Sequence, residues 1–131
     1  MAKVVTIRTD GGARGNPGPA AIGVVIEDGD GKVIMEFGRY LGEKTNNQAE
    51  YQALLVALEE AKGLGATEVR CYLDSELVVK QLKQEYRVKD KELASLFVKV
   101  LNLGHSFKQV SYHHVRREQN KRADALVNRT L

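Results

Sequence analysis

Four acids in this chain, Asp10, Glu50, Asp74 and Asp124, occupy positions where chemistry is done rather than where charge is usually solvated. Asp10 closes the β-branched run KVVTIRTD and leads straight into TDGGARGNPGPA (residues 9–20), which holds four glycines and both prolines of the chain. An acid at a strand's end, beside backbone that a ligand can approach closely, is the geometry of a site. Asp74 closes a second β-like run, TEVRCYL. Glu50 falls in the first turn of a helix and shares a stripe with Leu54, Ala57 and Ala61, which aims it at a sheet and not at water. Asp124 has Val127 and Leu131 three and seven residues on, so it too lies on or beside a packed face. Any one of these acids could simply cap a helix or pair with a Lys or Arg. Four inward carboxylates together repel one another, and the usual remedy is a divalent cation. Oxygen-only donors without a His or Cys cluster favour Mg²⁺ or Mn²⁺. Two such ions about 3.5–4 Å apart can clamp a phosphodiester, activate a water and stabilise the leaving oxygen.

Bringing these acids together requires a particular set of elements. Residues 3–10, 20–27 and 32–41 read as three strands, the last two joined by the hairpin turn DGDG. Residues 45–63 form a helix that starts with the capping pattern Thr45-x-x-Gln48 and ends at Gly63 and Gly65. A fourth strand at 67–73, a short helix at 75–82, an irregular polar segment at 85–90 and an amphipathic helix at 91–103 follow. A fifth strand at 107–115 and a last helix from Glu118 to the end complete the chain. The order predicts an α/β fold with a mixed five-stranded sheet, order 3-2-1-4-5. Strands 1–3 make an antiparallel meander, and strands 4 and 5 run parallel to strand 1. The gap between strands 1 and 4 is then a topological switch point, where open α/β sheets bind ligands.

The length, 131 residues, suits one domain over residues 1–131 with its own core. A single cysteine, Cys71, excludes an internal disulfide and a Cys-based zinc site, and reads as core filler. No apolar run approaches the roughly 20 residues of a membrane span, and MAKVVTIRTD has no signal-peptide core, so a cytoplasmic protein is expected. A net charge of +3 permits a polyanionic partner without requiring one.

The surroundings of the acids suit a phosphate backbone. Gly11 and Gly12 offer backbone without side-chain obstruction. Thr45, Asn46 and Asn47 sit at a helix N-terminus, which favours an anion and equally serves simple capping. Asn16, Asn46 and Asn47 could meet sugar hydroxyls or base edges in a minor groove. Two basic runs, Lys80 to Lys91 and Arg116 to Arg122, are of the kind that usually forms a solvated face, but both lie close to the acids in sequence.

TDGGARGNPGPA, TNNQAEYQALLVAL, DSELVVKQL and REQNKRADALVN, in that order and over nearly the whole chain, resemble the type 1 ribonuclease H family. The resemblance implies the ribonuclease H fold and metal-dependent endonucleolytic cleavage of the RNA strand of RNA–DNA hybrids, leaving 5′-phosphate and 3′-hydroxyl ends. It implies two Mg²⁺ or Mn²⁺ ions, with Asp10 bridging both, Glu50 and Asp74 on the leaving-group side and Asp124 on the side of the attacking water. It also implies substrate contacts at Gly11, Gly12, Asn16, Thr45, Asn46 and Asn47, and at Glu76, where some members carry Gln. The segment between the two middle helices is short, so the chain resembles the compact subgroup that lacks a basic protrusion. Some members carry a mobile histidine near the site, and His114 has a compatible spacing from Asp124. SYHHVRRE nevertheless reads as a strand running out at Val115 into a shortened loop, which makes Arg117 the loop residue nearest the site. The expected species is a monomer. Two alternatives remain at this stage: a non-catalytic duplex-binding module of the same fold, and an enzyme that also cuts double-stranded RNA.

Overall fold

The computed structural model describes residues 2–131. Strands β1 (Val4–Ala13), β2 (Gly18–Glu27) and β3 (Val33–Lys44) form the antiparallel meander. Helix α1 (Asn46–Gly63) crosses over to β4 (Glu68–Leu73), and α2 (Glu76–Leu82) and α3 (Lys91–Gly104) lead to β5 (Gln109–His114). A 3-10 turn (Arg117–Gln119) precedes α4 (Lys121–Thr130). The sheet order is β3-β2-β1-β4-β5, with β4 parallel to β1 and β5 parallel to β4, as the element order requires.

One face of the sheet carries the main core. Val5, Ile7, Ile22, Val24, Ile26, Val69, Cys71 and Leu73 alternate inward and are buried beneath Tyr51, Leu54, Ala57, Leu58 and Ala61 of α1. Burial pushes the Cys71 thiol up, which leaves it protonated and inert. The capping box is present: Thr45 Oγ1 accepts from the Gln48 backbone N–H at 3.1 Å, and Gln48 Oε1 accepts from the Thr45 N–H at 2.9 Å. The link between α2 and α3 is short, running from residue 83 to residue 90.

The opposite face is covered over β2 by α4, with Ala123 and Leu126 packed on Val25. Contact there is backbone-close. A Cβ on Gly23 would lie 2.2 Å from the Ala123 carbonyl oxygen, so only glycine lets α4 settle on the strand. Gly23 is the cross-strand partner of Asp10, and this seating is what delivers Asp124, the residue after Ala123, to Asp10.

Several boundaries differ from the sequence expectation, among them the start of β2 at Gly18 and not at residue 20, and the end of β3 at Lys44 and not at residue 41. β1 does not stop at Asp10 but runs on to Ala13, with Gly11 and Gly12 paired to Ile22 and Ala21. The two glycines look like turn chemistry, yet both are paired in the strand and Gly11 is there for packing against α1, and the turn itself is the short piece from residue 14 to 17. Asp10 is the first residue beyond the parallel ladder with β4, whose last pair is Thr9 and Leu73. The last helix begins at Lys121 and not at Glu118, because residues 117–119 form the separate 3-10 turn. β5 is shorter than residues 107–115 at both ends: Phe107 turns into the core instead.

Candidate active site

Since Thr9 and Leu73 are the last parallel pair, the next residue on each strand, Asp10 and Asp74, emerges side by side at the switch point. Glu50 reaches them from just past the first turn of α1, which begins at Asn46 and holds no acid, and not from within that turn as the sequence predicts. One carboxylate oxygen from each of Asp10, Glu50 and Asp74 lies within 4.8 Å of the others. These acids line a cleft of about 470 Å³ together with Gly11, Gly12, Asn46, Asn47, Arg117 and Asp124. Asp124 is thus in the cleft and close enough for its charge to act on Asp10, though it is outside the tight cluster of three.

Two of the acids are under a tenth exposed, Asp10 at 8% and Glu50 at 7%, so their charges are costly. The Gly11 N–H donates at 3.0 Å to both Asp10 Oδ1 and Glu50 Oε1. Glu50 Oε2 is buried with no hydrogen-bond partner. Among the described residues no Lys or Arg forms an ion pair with any of the four acids. Burial, reinforced by the charges of Asp74 and Asp124, pushes Asp10 up to about 7 against an opposing hydrogen bond with Glu50. Burial, and then the Asp10 charge, holds Glu50 well above the usual carboxylate range. A divalent ion held by these acids would fit these features: it would offer a partner to the unsatisfied Glu50 carboxylate and relieve the repulsion among hard oxygen donors.

A pH dependence follows for the protein in EDTA. A carboxyl raised from 3.8 to about 7 binds its proton more tightly folded than unfolded, so its contribution to stability is full below 3.8 and is lost as pH rises through about 7. The unfolding free energy is expected to fall over that window by an amount on the order of a few kcal/mol for a group this buried, and the denaturation midpoint with it. Saturating Mg²⁺ should flatten the trend. A midpoint that rises steadily from pH 4 to 7 in EDTA would refute the reading of a self-repelling site.

The residues expected to touch substrate divide into two groups. Gly11, Gly12, Asn46 and Asn47 line the cleft; Asn16, Thr45 and Glu76 do not. Thr45 Oγ1 is engaged as the helix cap. Asn16 and Asn46 tie the turn after β1 to α1: Asn16 Oδ1 accepts from the Asn46 N–H at 3.0 Å, and Asn46 Oδ1 accepts from the Ala13 N–H at 2.9 Å. Their amide N–H₂ groups donate to nothing among the described residues. The Gly11 N–H already serves Asp10 and Glu50, and its missing side chain makes room for the α1 backbone at Ala49. Glu76 is exposed and paired with Lys80 at 2.8 Å. Of the two loop candidates, Arg117 lines the cleft, while His114 ends β5 and is exposed.

Sequence reasoning missed Asn120. It is 1% exposed, and its Nδ2 donates to the Thr9 carbonyl at 2.8 Å and to Asp74 Oδ2 at 3.3 Å. Placing the start of the last helix at Glu118 hid it within a first turn; an Asn just before a helix is the signal that would have singled it out.

A 3-2-1-4-5 mixed sheet with carboxylates gathered at its switch point defines the ribonuclease H-like class of proteins. The comparisons narrow this. Residues 8–130 match the family described as reverse transcriptase-like. Ribonuclease HI of Halobacterium salinarum is 46% identical over 122 residues, 93% of this chain and 61% of the relative. A crystal structure of RNase H1 from that archaeon superposes with a TM-score of 0.95 at 44% identity, covering 97% of this chain and 96% of that one. The N-terminal RNase H domain of Rv2228c from Mycobacterium tuberculosis gives 0.95 at 41% identity, covering 98% and 94%. LC11-RNase H1, isolated from compost and solved in complex with an RNA/DNA hybrid, gives 0.90 at 45% identity, covering 95% and 94%. The chain belongs to the type 1 ribonuclease H family. It spans 61% of the length of the curated Halobacterium salinarum relative and 34% of full-length Rv2228c.

Proposed function

We propose that this chain is a metal-dependent endoribonuclease that hydrolyses the RNA strand of RNA–DNA hybrids and leaves 5′-phosphate and 3′-hydroxyl ends. The observation that carries the reading is the convergence of Asp10, Glu50 and Asp74 within 4.8 Å, with Glu50 Oε2 buried and unpartnered. Asp10, Glu50, Asp74 and Asp124 would hold two Mg²⁺ or Mn²⁺ ions. Bound there, the ions supply charge neutralisation at the phosphodiester and at the developing and departing oxygens. The rest is positioning by the chain itself. Gly11 lets α1 seat against β1 beside the acids, and Gly12 leaves one wall of the cleft without a side chain, which admits a duplex backbone. Asn46 and Asn47 stand at the N-terminus of α1 beside the acids, where amide donors can meet 2′-hydroxyls and so tell RNA from DNA. Arg117 takes the loop position and presents a permanent cation to a backbone phosphate.

The same reading takes residues 1–131 as one catalytic domain, monomeric and cytoplasmic. Among the described residues no helix is long and apolar enough to cross a membrane. A duplex-binding module without catalysis fits less well, because a ligand for polyanions gains nothing from inward carboxylates. The test is cleavage of a labelled RNA–DNA hybrid in Mg²⁺, Mn²⁺ and EDTA, with double-stranded RNA and DNA alongside. Metal-dependent cutting of the hybrid's RNA strand, abolished by EDTA, is the expected result. Tight hybrid binding without cutting in either metal would replace the enzyme by the module. Cutting of double-stranded RNA would widen the substrate range without moving the site.

A further inference from the structure

Asn120 stands at the N-cap position of α4, where an asparagine ordinarily turns its side-chain oxygen onto the free N–H groups of the first turn. Here the side chain makes no such cap. It points inward instead, is 1% exposed, and leaves its own Oδ1 buried without a partner. What it gains is a single amide nitrogen shared between two acceptors: the carbonyl of Thr9, the residue before Asp10, and Oδ2 of Asp74. Its backbone carbonyl meanwhile accepts from the N–H of Asp124 at 3.1 Å. One residue therefore touches the element or side chain of three of the four acids, coming from β1, β4 and α4. A forgone cap and an unmet buried oxygen both work against stability, so packing alone does not account for this choice.

We propose that Asn120 is a positioning residue for the metal site. It fixes one carboxylate oxygen of Asp74 by hydrogen bonding, so that the other is presented to the cleft, and it locks β1 and α4 in the relative placement that brings Asp10 and Asp124 together. Groups that orient ligands from behind typically govern metal affinity by about 10- to 100-fold. The inference rests on the function proposed above and goes beyond it, since Asn120 would touch neither metal nor substrate.

The test is Asn120→Ser. Serine is a good helix cap but too short to reach Thr9 and Asp74, so it separates positioning from stability. The expected result is a variant that still folds in EDTA, the regained cap offsetting part of the lost bond to Thr9, with Mn²⁺ affinity by titration calorimetry and the Mg²⁺ half-saturation of cleavage both weakened by about 10-fold or more. The KM for hybrid at saturating metal should be unchanged. Wild-type metal affinity in a folded Asn120→Ser variant would overturn the inference while leaving the nuclease reading intact; a wild-type protein that neither binds metal nor cleaves would overturn both. Should the variant fail to fold, the wild-type side-chain amide of Asn120 decides by NMR. A resonance slow to exchange that moves on Mg²⁺ addition supports the role, and a rapidly exchanging, unmoved one overturns it.

Discussion

Asp10→Asn is expected to lower the rate of hybrid cleavage by more than about 10³-fold, roughly 4 kcal/mol of transition-state stabilisation, while making the protein in EDTA more stable. The two effects have one cause. Asp10 is buried at the centre of the cluster, within reach of the charges of Asp74 and Asp124 and in contact with Glu50. Asparagine keeps the size and the acceptor for the Gly11 N–H but removes the charge that two metal ions would need. Without metal that same charge is a liability. Because burial and its neighbours push Asp10 up to about 7, the wild-type carboxyl is already neutral in the folded state at low pH. The variant should therefore match wild type near pH 4, gain on it as pH rises, and hold a constant advantage above about 7, on the order of a few kcal/mol. Adding Mg²⁺ should reverse the order, since a ligand stabilises only the protein that binds it. Denaturation midpoints in EDTA and in Mg²⁺ at several pH values, beside cleavage rates, check all of this. Retained activity in Asp10→Asn would sink the metal-site reading, and a loss of stability at pH 8 in EDTA would sink the electrostatic one.

The parts of this site that could be read directly from the sequence are those in which local pattern and global arrangement agree. Alternation in the strands and a 3.6-residue stripe in α1 are enough to place the sheet order, and with it the meeting of Asp10 and Asp74 at the end of a parallel pair. Glu50 followed from its stripe in the same way, even though its neighbours Asn46 and Asn47 are polar. What escaped was set by contacts distant in sequence. Gly11 and Gly12 fall outside the sequence-derived strand because glycine pairs usually signal a break, whereas Gly11 serves α1, which lies on the strand there from almost 40 residues away. Asn120 escaped because it gives up the local role its position offers in favour of partners 111 and 46 residues distant. Such a conflict between local rule and observed contact tends to fall at functional sites.

That helix seating leads to the second large effect. Gly11→Ala is expected to cost about 3 kcal/mol of stability or more, beyond the small entropic gain of removing a glycine. The added Cβ would sit 2.3 Å from both the carbonyl carbon and oxygen of Ala49, and 2.6 Å from the Glu50 nitrogen. All three atoms are helix backbone, so no rotamer change relieves the overlap, and α1 would have to lift by more than an ångström at its first turn. Glu50 moves with that turn. Its Oε1 would leave the Gly11 N–H, and its carboxylate would leave Asp10, so cleavage should fall by a further factor of about 10² through misplacement alone. Gly12→Ala is the matched control: its Cβ would meet only Val127 Cγ1, at an ordinary 3.7 Å, and stability should barely change. Urea denaturation of the two variants in EDTA, with cleavage rates in Mg²⁺, separates them. Equal stability of the two variants would mean that α1 does not bear on β1 as described. Loss of stability in Gly11→Ala with full activity would mean that Glu50 keeps its place without that contact, and its role would then have to rest on α1 packing elsewhere.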